Sequence, residues 1–183
     1  MKNRKSTDLL ILLLISVFVV SASAAVYYSM YAKSTTTITA APVYFTLGGD
    51  SSGILKIGTN NTYAELSLNA YPNVTLYYDQ AVNITASAAG QVQLDPVSVS
   101  PNGDPSVSNF TSIVFTLVRS DGTAVGSLTY TTTGNSWNVP STGSGFVPIS
   151  AGEKIAIKVA ITAVAGAKTG VSTAIVMTID TKQ

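Results

Sequence analysis

The most specific chemistry in this sequence lies in four Asn-X-Thr triplets: Asn60-Asn61-Thr62, Asn73-Val74-Thr75, Asn83-Ile84-Thr85 and Asn109-Phe110-Thr111. Each presents an amide that an oligosaccharyltransferase could modify on an exported chain. In a sequence this rich in Asn and Thr, several such matches arise by chance, so the spacing marks candidates only. Asn60 and Asn109 lie near expected turns, whereas Asn73 and Asn83 fall in expected strands and are the poorer acceptors. Asp95, Asp104 and Asp121 lie in or near loops and could offer oxygen to calcium. None has the dense Asp/Asn spacing of a dedicated calcium loop, and such carboxylates more often accept hydrogen bonds from their own turn. Nothing in the sequence brings Asp79 and Glu65 together as an acid/base pair. Lys158 on an alternating strand could join an Asn or Asp in an isopeptide link; a solvated lysine is the simpler reading. Trp137 with Tyr63, Tyr71, Tyr77, Tyr78 and Tyr130 could line a sugar-binding face, but core and subunit contacts account for most of them with fewer assumptions.

What is missing narrows the field further. The chain of 183 residues has no Cys and no His. This removes thiol nucleophiles, disulfides, Ser-His-Asp triads, histidine bases and ordinary zinc sites together. The expectation is a protein that is not an enzyme and takes no cofactor. Only 10% of residues are charged, against roughly 25% in an ordinary soluble domain. Ten basic and nine acidic residues become seven and eight once Lys2, Arg4, Lys5 and Asp8 of the N-terminus are set aside. A surface so close to neutral has little attraction for nucleic acid and little repulsion between copies.

The N-terminus supplies an address. Lys2, Arg4 and Lys5 precede the apolar run Leu9–Val20, and Ala22-Ser23-Ala24 follows. Charge, apolar helix, then small residues is the pattern of a signal peptide, predicting cleavage between Ala24 and Ala25. Residues 1–24 are therefore read as a leader, 25–41 as an extended segment and 42–183 as one domain, long enough to bury a core unaided. In the extended segment Val26, Tyr28 and Met30 share one face of a strand and Tyr27, Ser29 and Tyr31 the other. Thr35–Thr39, with Ile38 among them, continues in residues of high β-propensity, and Pro42 separates the segment from the body.

From Val43 onward the sequence reads as strands and turns. Expected strands are Val43–Leu47, Ile54–Ile57, Tyr63–Leu68, Val74–Tyr78, Ala81–Ala86, Val92–Val99, Ile113–Arg119, Ala124–Thr131, Trp137–Val139, Lys154–Ala163 and a last one within Val171–Thr181. Gly58–Asn61 and Ser120–Thr123 read as hairpin turns. Pro96 points to an edge or a bulge. Ile155, Ile157, Val159 and Ile161 form one buried face, and Ile175, Met177 and Ile179 a last buried row. Short strands at regular turns imply an all-β fold, a two-sheet β-sandwich of jelly-roll or immunoglobulin-like type.

The seventeen residues 25–41 would span roughly 55 Å when extended at about 3.3 Å each, enough to leave their own domain and enter a neighbour's sheet. Strand addition of this kind satisfies backbone groups on an exposed edge, with Val26, Tyr28, Met30 and Ile38 as the apolar positions. Each copy gives once and receives once, so the contact is head to tail and open-ended. In leader, extended segment, cysteine-free sandwich and a final pair around Phe146–Lys154 and Ile175–Ile179, the chain resembles the donor-strand subunits of archaeal bundling pili and the TasA/camelysin biofilm-fibre family. The resemblance implies a jelly-roll fold, a homopolymer outside the cell with lateral bundling of filaments, a role in biofilm cohesion, and contact with the membrane only during export.

A second resemblance is to archaeal type IV pilins. Lys5-Ser6-Thr7 would be the processing site there, and residues 7–31 a helix of about 37 Å forming the filament core. Asp8 at the start of that helix and the unused Ala22-Ser23-Ala24 motif weigh against it. A third reading, of a different class, keeps Leu9–Tyr28 as a membrane tether for a surface or sugar-binding module.

Overall fold

The computed structural model describes residues 41–182, and these form an all-β sandwich. The cleavage site at Ala24 and Ala25, the donor positions Val26, Tyr28, Met30 and Ile38, and the helix proposed for 7–31 lie outside the described residues. The strands in chain order are β1 (Val43–Leu47), β2 (Leu55–Ile57), β3 (Ala64–Leu66), β4 (Thr75–Ala86), β5 (Gly90–Ser100), β6 (Phe110–Arg119), β7 (Ala124–Thr133), β8 (Ser136–Asn138), β9 (Val147–Ile149), β10 (Lys154–Ala163) and β11 (Ala174–Lys182). One sheet runs β1-β4-β10-β6-β7-β8, a second runs β11-β5-β9, and β2 pairs with β3 alone. The named strands all pair antiparallel.

Period-2 patterning explains how the layers close. In β10 the residues Ile155, Ile157, Val159 and Ile161 are buried while Lys154 is exposed, as the alternation requires. They meet Ile84 of β4 and Leu117 of β6 in their own sheet, and Val92, Leu94, Val147 and Ile149 from the second sheet, in one continuous core. Each such side chain withdrawn from water contributes about 2 kcal/mol. The β2–β3 hairpin adds Leu55, Ala64 and Leu66 to the rim of this core.

Strands β1 and β10 have the bounds expected from sequence, and both hairpin turns form. Gly58 N donates to the Tyr63 carbonyl at 2.9 Å, and Gly122 takes a positive φ of 85° between β6 and β7. Three expectations need correction. Val74–Tyr78 and Ala81–Ala86 are not two strands but the single twelve-residue β4. The register against β10 slips where Tyr78 and Val82 face Val159 and Ile157, so Asp79-Gln80 is a bulge with both side chains exposed rather than a turn. The row Ile175, Met177 and Ile179 is only half-buried, because β11 is the outermost strand of its sheet. Finally, the segments around Phe146–Lys154 and Ile175–Ile179 do not pair with each other; β9 and β11 lie on opposite sides of β5. Pro96 behaves as expected, at a bulge where Val176 and Met177 face Ser98 and Pro96.

Candidate functional site

The candidate chemical residues are dispersed, and most serve the scaffold. Among the described residues no three His, Cys, Asp or Glu side chains come together as a metal cluster. Asp104 caps a short 3-10 helix, Pro105–Asn109, by accepting from Ser106 N at 2.7 Å, and Asp121 accepts from Thr123 N at 2.8 Å. These backbone hydrogen bonds hold both carboxyls below the ordinary carboxylate value, because they favour the charged form. Glu65 stands opposite Lys56 on the β2–β3 hairpin, while Asp79 on β4 pairs with Lys158 Nζ at 2.5 Å. The two acids therefore belong to separate elements with separate lysines. The Lys158 pair is open to solvent, with Asp79 72% exposed, and its ammonium also lies 5.0 Å from the Tyr77 ring centre. That wet setting suits an ordinary ion pair with a cation–π contact.

The aromatics divide. Trp137 and Tyr130 belong to the core, where Trp137 packs on Phe110 and Tyr130 meets Phe115 edge-on at 6.0 Å. Tyr63, Tyr71 and Tyr77 are exposed, and Tyr78 is half-buried, its hydroxyl accepting from Asn69 N at 2.8 Å. The Tyr130 hydroxyl is fully buried with no partner among the described residues. Burial first, and the Asp95 charge second, push its pKa above the ordinary value of 10.0. A buried hydroxyl without a partner costs about 1–3 kcal/mol, so Tyr130→Phe should raise stability by about 1 kcal/mol. A pKa raised by folding stabilises the fold below the unfolded value and loses that contribution as pH climbs through the folded one. Urea titrations at pH 7 and at pH above 10 should therefore show the variant's advantage widening in alkali; an unchanged or lower midpoint in the variant would refute the assignment.

The sequons separate by geometry. Asn60 is exposed in the β2–β3 turn, and Asn73 is exposed in a turn before β4 with φ at 59°. Asn83 is half-buried on β4, its Nδ2 donating to the Leu47 carbonyl at 2.9 Å, and Thr85 of its triplet is buried. Asn109 is buried: its Nδ2 donates to the Ser106 carbonyl at 2.8 Å and its Oδ1 accepts from Lys168 N at 2.7 Å. Sequence placed Asn73 in a strand and Asn109 near an open turn. The fold reverses their accessibility.

The strand edges offer a further candidate surface. Of the four end strands of the two main sheets, three meet an obstacle to strand addition among the described residues, although β8 covers only Thr131–Thr133 of β7. On β1, Phe45 N donates to the Asn61 carbonyl at 2.7 Å. On the three-residue β8, Trp137 N donates to Asn102 Oδ1 at 2.8 Å. The three-residue β9 carries Pro148, whose carbonyl accepts from Arg119 Nη2 at 2.6 Å. Arg119 itself pairs with Glu153, whose other oxygen accepts from Ser150 N at 2.8 Å. The nine-residue β11 is different: among the described residues it pairs with β5 alone. From Ala174 to Ile179 it has no charge, no Pro and no Gly. Ile175, Met177 and Ile179 lie half-buried against the core, and Val176 is 50% exposed on the opposite face. A long apolar edge without charge or Pro is a template for another strand. Sequence reasoning missed this because alternation tells which face a residue takes, not whether its strand has a neighbour. The uncharged run Ala174–Ile179 was the available signal. Neither a protein-family model nor a curated protein matches the chain.

Proposed function

We propose that this chain is the structural subunit of an extracellular filament, a homopolymer in which residues 25–41 of one copy complete the sandwich of the next. The observation that carries the reading is the β11 edge, which has no further strand among the described residues, with a half-buried apolar row beside it. Backbone groups on such an edge gain hydrogen bonds when a strand is added, and the apolar row gains cover. The donor segment supplies an alternating set of matching character in Val26, Tyr28 and Met30. A low charge count and the dispersal of acids among turns and ion pairs suit a building material rather than a catalyst. Processing after Ala24 frees the donor, and the growing contact is head to tail. The helical-core alternative, with residues 7–31 packed centrally, gives the β11 edge no occupant.

Two measurements test this. N-terminal sequencing of material sheared from the cell surface should begin at Ala25; a start at Thr7 would favour a helical core, and Met1 in the membrane fraction a tether. Deleting residues 25–41 behind an intact leader should yield secreted, aggregation-prone monomers and no filaments by electron microscopy. Filaments from that variant would defeat the proposal.

A further inference from the structure

The edge and the donor segment together define how the strand docks. Resting on the subunit reading, we infer that residues 25–31 of a second copy add to β11 antiparallel, with Val26 beside Ile179, Tyr28 beside Met177 and Met30 beside Ile175. Strand β11 presents three inward apolar residues at spacing two, and the donor presents three at the same spacing. A one-residue slip would turn the whole apolar set to solvent, and a two-residue slip would leave one member of each set unmatched. The central pair sets a thioether against an aromatic ring, a favourable contact.

Charge decides the direction. In parallel alignment Lys33 would come opposite Lys182, and like charges facing each other across strands are destabilising. In antiparallel alignment Ala25 comes opposite Asp180, so the α-amine released by cleavage after Ala24 meets a carboxylate. Asp180 is already held at this position, accepting from Gln93 Nε2 at 3.2 Å and from Thr178 Oγ1 at 3.1 Å. Lys33 then falls opposite Ser172, beyond the start of β11. The outer face of the new ribbon carries Tyr27, Ser29 and Tyr31 next to Thr178, Val176 and Ala174.

The absence of cysteine makes this register directly readable. Tyr27→Cys combined with Thr178→Cys places two thiols opposite each other on the solvent face, where disulfide geometry can be met across neighbouring strands. Filaments of the full-length double variant, mildly oxidised and run without reductant, should give a ladder of covalent multimers. Tyr27→Cys combined with Val176→Cys, the parallel partners, should give little. Filaments that form normally but show no Tyr27–Thr178 ladder, or that ladder through Val176 instead, would overturn the docking while leaving the subunit reading intact. A wild-type chain that forms no filaments would defeat both.

Discussion

Gly48→Ala should lower the thermal midpoint of the sandwich by about 10 °C, a loss of about 3 kcal/mol for a domain of this size. Gly48 follows the last residue of β1, where the chain passes directly over the β4 bulge. A Cβ there would lie 1.9 Å from the Gln80 carbonyl oxygen, a contact no side-chain rotation relieves because the obstacle is backbone. The same crossing is tied on several sides: Asp50 N donates to the Gln80 carbonyl at 3.1 Å, Gln80 N to Asp50 Oδ2 at 3.0 Å, and Ser51 Oγ to the Gly48 carbonyl at 2.7 Å. Moving the loop to admit a methyl group would break these together. Gly53 is the matched control, with φ at 74° and nothing within 4 Å of a built Cβ; Gly53→Ala should cost only about 1 kcal/mol, the backbone preference alone. Calorimetry on both variants measures the difference. Equal, small losses would mean the crossing is looser than the geometry states.

Asn109→Ala should cost about 2 kcal/mol, because it removes two hydrogen bonds made by a buried side chain. The side chain bridges the 3-10 helix and the loop after β10, bonding the Ser106 carbonyl at one end and Lys168 N at the other. Its own carbonyl accepts from Val164 N at 3.0 Å, so the backbone route between the two segments survives the substitution. The effect should therefore be local as well as global. Hydrogen exchange at Lys168 should accelerate sharply while the β10 amides keep their protection at matched stability. A variant as stable as wild type would show that solvent replaces the lost partners. The same geometry bears on modification: a glycan at Asn109 would have to displace both hydrogen bonds, whereas Asn60 and Asn73 lie exposed on turns with no such bonds among the described residues.

These results mark where local reading succeeds and where it stops. The bounds of β1 and β10 follow from period-2 alternation, which is a property of one strand and needs no knowledge of its neighbours. The Asp121-Gly122 turn follows equally, since a positive φ selects glycine. Asp79-Gln80 reads as a break between two strands, and only the register of β10 shows that the chain bulges and continues. Asn109 illustrates the opposite failure. Its triplet lies beside a Pro-rich loop and reads as open, yet the 3-10 helix and a loop some sixty residues later close over it. For β11 the alternation correctly names Ile175, Met177 and Ile179 as the inward row. How deeply a row is buried depends on the strands beside it, and that is tertiary information.

The end strands differ in what a second copy would meet there. Among the described residues β1, β8 and β9 meet a loop carbonyl, an asparagine side chain and an arginine on a proline carbonyl, and of the four end strands β11 is the one without such a contact. Should two bodies meet edge to edge at β11, each would occupy the other's open strand, and the pair would be a closed symmetric dimer rather than a seed. On the proposed subunit reading, a donor strand would have to outcompete that pairing, so the supply of free N-terminal segments would limit growth.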